Sequence, residues 1–198
     1  SSSAASDVYK RQIVNGLGLV ASAGIGISEK LFVFLSIAPS AFMSALSAFV
    51  AQNMGAGNPQ RALRAMYVAQ AISFACGILT FSLTFFAGDF LASLFDGDPA
   101  VIQATAQYMR GSGFEYLMIP LSFCFLGYFN GRERTAFVMI QGLASAFLVR
   151  IPLSYYLSRL PGAGMFTISL AVPAAGLLSL AMCLAYFLHI RRRELLPG

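Results

Sequence analysis

Long stretches of this chain carry no charge, and that limits what it can fold into more than any other feature. From Leu31 to Pro59 there is no Asp, Glu, Lys or Arg, and the same holds from Ala65 to Gly88. A helix crosses the hydrocarbon core of a bilayer with about 20 mostly apolar residues. In that solvent every backbone polar group must find its partner inside the chain, and a helix does so along its own length. The composition agrees, with 58% of the 198 residues hydrophobic and 11% charged, against about 25% charged in a soluble domain. The expected fold class is therefore an all-α integral membrane protein with about five transmembrane helices.

The breakers between the apolar runs place these helices. The first is expected from about Ile27 to Asn53, kinked at Pro39 and ended by Gly55-Ala56-Gly57-Asn58-Pro59. The second covers the charge-free run from Ala65 to Gly88, and Asp89, Asp96, Asp98 and Pro99 mark an acidic, exposed connection after it. The third spans about Ala100 to Phe129, amphipathic at first and then apolar, and ends in the basic turn Asn130 to Arg134. The fourth spans about Thr135 to Ser158 with interruptions at Arg150 and Pro152. After Pro161-Gly162-Ala163-Gly164 the fifth spans about Phe166 to Ile190 and carries Pro173. Residues 1–12 (SSSAASDVYKRQ) are polar with no apolar core and read as a non-native or disordered leader. Residues 13–26 read as the end of a truncated helix and its outer loop, 27–190 as the membrane unit and 191–198 as a tail. So abrupt a start suggests a fragment.

Counting basic residues in the connections orients the helices. One set of connections holds Arg61, Arg64, Arg132, Arg134, Arg191, Arg192 and Arg193, and the other holds Lys30 and Arg159 with three Asp. The first set is expected in the cytoplasm, which makes this a multi-pass protein of the cell membrane with its C-terminus inside. The net charge of +5 does not point to nucleic acid, because the basic residues sit at the ends of apolar runs and form no face.

Catalysis has no support. No metal cluster, nucleophile–base pair or phosphate loop is present, and no cofactor is expected. Gly16-Leu17-Gly18 and Gly24-Ile25-Gly26 lack the strand context and the Lys of a phosphate loop. Cys76, Cys124 and Cys183 lie inside apolar segments and read as small apolar fillers, and His189 reads as an interfacial group. Transport is the alternative, since ionisable groups at membrane depth are costly and functional by default.

Glu115 is the most informative of these groups, near the middle of the third helix and just before the apolar run Leu117 to Phe125. An Asp at the centre of a membrane helix costs about 2.5–3.5 kcal/mol on the insertion scale. Such a carboxylate persists where it exchanges a proton or binds a cation, where it pairs with Arg110 or Arg150, or where it reaches the interface. Arg150 itself snorkels or pairs more readily than it touches a substrate. Gln52 and Asn53 cap the first helix or line a pathway, with capping favoured. Gln70, Gln141 and Tyr116 suit interhelical hydrogen bonds.

The string Val50-Ala51-Gln52-Asn53-Met54-Gly55-Ala56-Gly57-Asn58, followed by Arg61-Ala62, resembles the Gln-Gly-Ala signature of the multidrug and toxic compound extrusion (MATE) family. Softer matches come in order: Ile13-Val14-Asn15 before Ala21-Ser22-Ala23, Gly127-Tyr128-Phe129-Asn130-Gly131, and Val149-Arg150-Ile151-Pro152-Leu153 before Tyr155-Tyr156. The resemblance implies helices eight to twelve of a twelve-helix transporter, the C-terminal six-helix lobe of a MATE-type (MOP superfamily) fold. The missing N-terminal lobe and the lipid bilayer are then its partners. It implies efflux of small organic, often cationic, drugs by alternating access, driven by Na⁺ or H⁺, and it implies that Glu115 in helix ten binds the coupling ion. One lobe alone is expected to be inactive. The turn from Asn130 to Thr135 departs from the family's Gly-rich form by carrying Glu133-Arg134. A lipid-linked precursor flippase of the same superfamily and a non-transporting membrane scaffold remain the alternatives.

Overall fold

The computed structural model describes the backbone of residues 2–195 and the side chains of residues 18–192. The leader expected at 1–12 and the matched residues Ile13-Val14-Asn15 lie outside the described side chains. Among the described residues the regular structure is helical. The helices are α1 (Ser2–Leu35), α2 (Ile37–Gly55), α3 (Pro59–Phe86), α4 (Gly88–Ser93), α5 (Pro99–Ser112), α6 (Ile119–Gly131), α7 (Thr135–Ala144), α8 (Ile151–Ser158), α9 (Met165–Ser169) and α10 (Ala171–Leu195). A 3₁₀ turn over Gly113–Leu117 joins α5 to α6, and a π-helical stretch over Ser145–Arg150 joins α7 to α8.

Four stretches are long and apolar enough to cross a membrane: Gly18–Gly55, Pro59–Phe86, Thr135–Ser158 and Met165–Arg192. The third expected helix, from about Ala100 to Phe129, is present in pieces, as α5, the 3₁₀ turn and α6. Proline explains this and the other interruptions. A proline has no amide hydrogen for the carbonyl four residues back, and its ring crowds that carbonyl. The break between α1 and α2 at Ser36 precedes Pro39, and the break at Met118 precedes Pro120. The π stretch precedes Pro152, and the break at Leu170 precedes Pro173. Pro59 and Pro99 instead open α3 and α5, where no partner is lost. Asp98 caps α5, its Oδ1 accepting from the Ala100 amide at 2.8 Å.

One expectation is corrected. The Gly-rich residues 18–26, read as the end of a helix and an outer loop, continue α1 without a break to Leu35. Gly24 packs against α5, where an added Cβ would meet the Thr105 amide nitrogen at 3.1 Å. This glycine serves helix contact instead of a turn.

Helix α6 is the centre of the bundle, with α2, α3 and α10 around it. Its approach to α2 depends on two glycines one turn apart. A Cβ on Gly127 would stand 2.6 Å from the Met43 carbonyl oxygen, and one on Gly131 would stand 2.6 Å from the Ser47 carbonyl oxygen. This small-xxx-small spacing is a common means of close contact between membrane helices. Above it lies the main core of Leu46, Val50, Met66, Cys124, Phe125, Tyr128, Phe129, Cys183 and Phe187. A second cluster of Ile27, Leu31, Val101 and Met109 fastens α1 to α5.

The basic helix ends converge. The Arg132 Nη1 donates to the Tyr128 hydroxyl at 2.9 Å, and the Arg191 Nη1 donates to the Tyr67 hydroxyl at 3.2 Å. Both guanidiniums border one pocket at the start of α3. The loop at 163–164 and the start of α5 border a different pocket, together with Val20 and Ala21. Within the basic turn, Glu133 takes φ 61°, the left-handed region that favours glycine. The departure from the Gly-rich form thus falls on a residue whose backbone a glycine would adopt more easily.

Candidate functional site

Glu115 sits inside the 3₁₀ turn, one turn before Pro120. The turn sets it against α10 at Gly176, where an added Cβ would lie 3.4 Å from Glu115 Cγ and 3.9 Å from its Oε1. Beside it is a cavity of about 240 Å³ bordered by Phe32, Ser122, Gln141, Ser145, Arg150, Gly176 and Ser179. Glu115 Oε2 is buried and has no hydrogen-bond partner among the described residues, and Ser122 Oγ is in the same condition. An unpaired buried polar group is costly, and a carboxylate oxygen more so than a hydroxyl.

Gln141, Ser145 and Ser179 at the cavity are hydrogen-bonded. Gln141, 3% exposed, donates through Nε2 to Ser179 Oγ, which ties α7 to α10. Ser145 Oγ donates to the Ala175 carbonyl at 2.8 Å and anchors the π stretch on the same helix. The stretch closes where the Ile151 amide reaches the Ala146 carbonyl, five residues back. A π turn holds one residue more than an α turn, so it rotates the downstream residues by about 100° about the helix axis. Arg150 ends that stretch and borders the cavity.

Arg150 also borders a small adjoining pocket with Glu29, Ser112, Tyr108 and Tyr116. It forms no ion pair with Glu115 or with Glu29; the ion pair among the described residues joins Arg110 to Asp89 at 2.7 Å.

The expected site residues therefore divide. Glu115, Arg150 and Gln141 meet at one cavity. Tyr116, 5% exposed, packs against Phe32 with tilted rings whose centroids lie 5.9 Å apart, and lines the adjoining pocket. Arg110 is at the surface with Asp89, so it does not neutralise Glu115. Asn53 is buried at the end of α2, where Nδ2 donates to the Phe49 carbonyl at 2.7 Å. Its own carbonyl accepts from Asn58 at 2.8 Å, and that of the exposed Gln52 accepts from Ala56 at 3.0 Å. Both of these residues finish the helix.

Glu29, Ser122, Ser145 and Ser179 escape a reading of the sequence, which leaves Glu115 as the single carboxylate at membrane depth. The unbroken α1 makes Glu29 a helical residue beside Arg150. The Gly-Ile-Gly string just before it conceals this, because glycines at that spacing read as a loop. Single serines in apolar helices carry no signal of direction.

Comparison with known proteins gives the family. The MatE family model matches residues 11–156. A protein of Shewanella oneidensis described as an FAD transporter is 32% identical over 172 residues, which is 86% of this chain and 37% of that protein. The chain thus spans little more than a third of the length of this relative. No solved structure matches significantly. The all-helical bundle, its membrane-length helices and a family match over most of its length agree, and the chain belongs to the MatE family of membrane transporters.

Proposed function

We propose that this chain is the C-terminal lobe of a secondary active transporter that exports organic solutes in exchange for inward-moving Na⁺ or H⁺. One observation carries the reading: Glu115 Oε2 is buried, without a partner among the described residues, and beside an open cavity that four chain segments line. Such a group is neutral when protonated or when a cation binds it, and alternating access lets it load on one side and unload on the other. The lobe rocks against a second, N-terminal lobe. The charge count supports a reading with the basic helix ends and the C-terminus in the cytoplasm and the protein in the cell membrane.

Small organic, often cationic, drugs are the expected cargo. A second reading, export of a flavin dinucleotide, is favoured by the relative described as an FAD transporter and by the guanidinium at the cavity wall. Competition separates them: FAD either slows ethidium efflux from proteoliposomes or leaves it unchanged. Flippase and scaffold readings predict no gradient-driven movement of either solute.

The coupling role has its own test. In full-length transporter reconstituted into proteoliposomes, Glu115→Gln should abolish solute efflux driven by a Na⁺ or H⁺ gradient while the protein remains folded. Efflux that persists undiminished would remove Glu115 from the mechanism.

A further inference from the structure

Two carboxylates and one arginine line two adjoining pockets, Glu29 and Arg150 as exposed residues and Glu115 with a buried Oε2. Glu115 and Arg150 border the larger, and Glu29 and Arg150 border the smaller, with Phe32 between them in both. Arg150 is within electrostatic reach of Glu115 yet is bonded to neither acid. The π stretch that delivers Arg150 is held to α10 by Ser145 and limited by Pro152. Stretches of this kind mark places where a helix changes register, and a change of one residue would swing Arg150 away from the cavity.

We propose that Arg150 is a tethered counter-cation shared by Glu29 and Glu115. When no coupling ion is bound, the guanidinium leans to Glu115 and limits the cost of the empty carboxylate. When the ion binds Glu115, Arg150 leans to Glu29. Glu29 is thus a positioning residue that holds the competing charge aside, and Arg150 sets how tightly the driving ion binds and how readily it leaves. The inference rests on the coupling role of Glu115 and adds two residues to it.

The test is the half-saturating concentration of the driving ion in ethidium efflux by full-length transporter in proteoliposomes, with Na⁺ and H⁺ gradients imposed separately. Arg150→Gln removes the competitor, so half-saturation should fall by on the order of tenfold while maximal rate also falls, because the ion leaves slowly. Glu29→Gln should move half-saturation the other way, since Arg150 then stays on Glu115. The double variant should behave as Arg150→Gln does, and Arg150→Lys, which keeps the charge, should restore values near wild type. If Glu115→Gln silences transport but Arg150→Gln leaves half-saturation unchanged or raises it, the counter-cation is wrong and the coupling role stands. If Arg150→Gln changes only the half-saturation for the solute, Arg150 binds cargo and the proposal fails. If Glu115→Gln leaves transport intact, both fall together.

Discussion

Helix α6 and the run from α7 to α8 are built from similar apolar residues and are held in opposite ways. In α6 nine residues are buried, from Ile119 to Gly131. Across α7, the π stretch and α8, among the described residues, Gln141 alone is buried. The first is gripped by glycine-to-backbone contact and aromatic packing. The second is attached to α10 at this cavity by two polar contacts, from Gln141 and Ser145. In a bilayer, apolar surface gains little by leaving lipid, so packing and hydrogen bonds decide which helices stay together. A helix gripped like α6 is a scaffold. The α7–α8 run, held by fewer buried residues, carries Arg150 at its π stretch.

Substitutions test that contrast directly, with thermal unfolding in detergent as the measure. The largest effect is expected at Gly131→Leu, where the new Cβ would meet the Ser47 carbonyl and the Val50 side chain, each at 2.6 Å. Overpacking against backbone costs about 1–3 kcal/mol or more, so loss of the folded protein is the expected result. Gly142→Leu in α7 has nothing within 4 Å of its Cβ and should fall within about 0.5 kcal/mol of wild type. Equal effects at the two glycines would erase the distinction.

Phe129→Ala comes next. Phe129 is fully buried and its ring meets those of Phe137 and Tyr186 at 5.3 and 5.2 Å. The transfer term is weak in lipid, but the cavity remains, and a loss of about 2 kcal/mol or more is expected. Phe147→Ala, 62% exposed, should change stability little. A modest change is expected at Ser145→Ala, which removes one hydrogen bond to α10 at about 0.6 kcal/mol. This variant should alter transport rate in the full-length protein more than it alters unfolding temperature. The reverse would make the π stretch part of the scaffold.

Much of this architecture is legible in the residues alone. The charge-free runs give the membrane helices, and the breakers at Gly55-Ala56-Gly57-Asn58 and Pro161-Gly162 fall in turns, with positive φ at Gly57 and Gly162. Pro39 and Pro152 read as interruptions, and breaks occur within one turn of each. The amphipathic and apolar halves of the third helix are separate helices, because Pro120 stands at their junction. The loop expected within 18–26 fails for a physical reason: glycine permits both a turn and a close helix contact, and the neighbour decides between them. For the site, Glu115, Arg150 and Gln141 are legible as polar groups in apolar surroundings. Glu29, Ser145 and Ser179 are not, since nothing local distinguishes a serine that faces a cavity from one that bonds its own helix, as Ser40 and Ser82 do.

By itself, the sequence determined that the chain crosses a membrane as helices, where proline interrupts them, and that a carboxylate sits among apolar residues. These conclusions come from the cost of polar groups in hydrocarbon and from the missing amide of proline, both local properties. Tertiary structure alone decided that Glu115 Oε2 lacks a partner, that Arg110 pairs elsewhere, and that Arg150 borders the pockets that Glu115 and Glu29 also line. Those outcomes depend on which helices touch and how each is rotated about its axis, and small-residue contacts and a π turn set that rotation through neighbours far away in the chain.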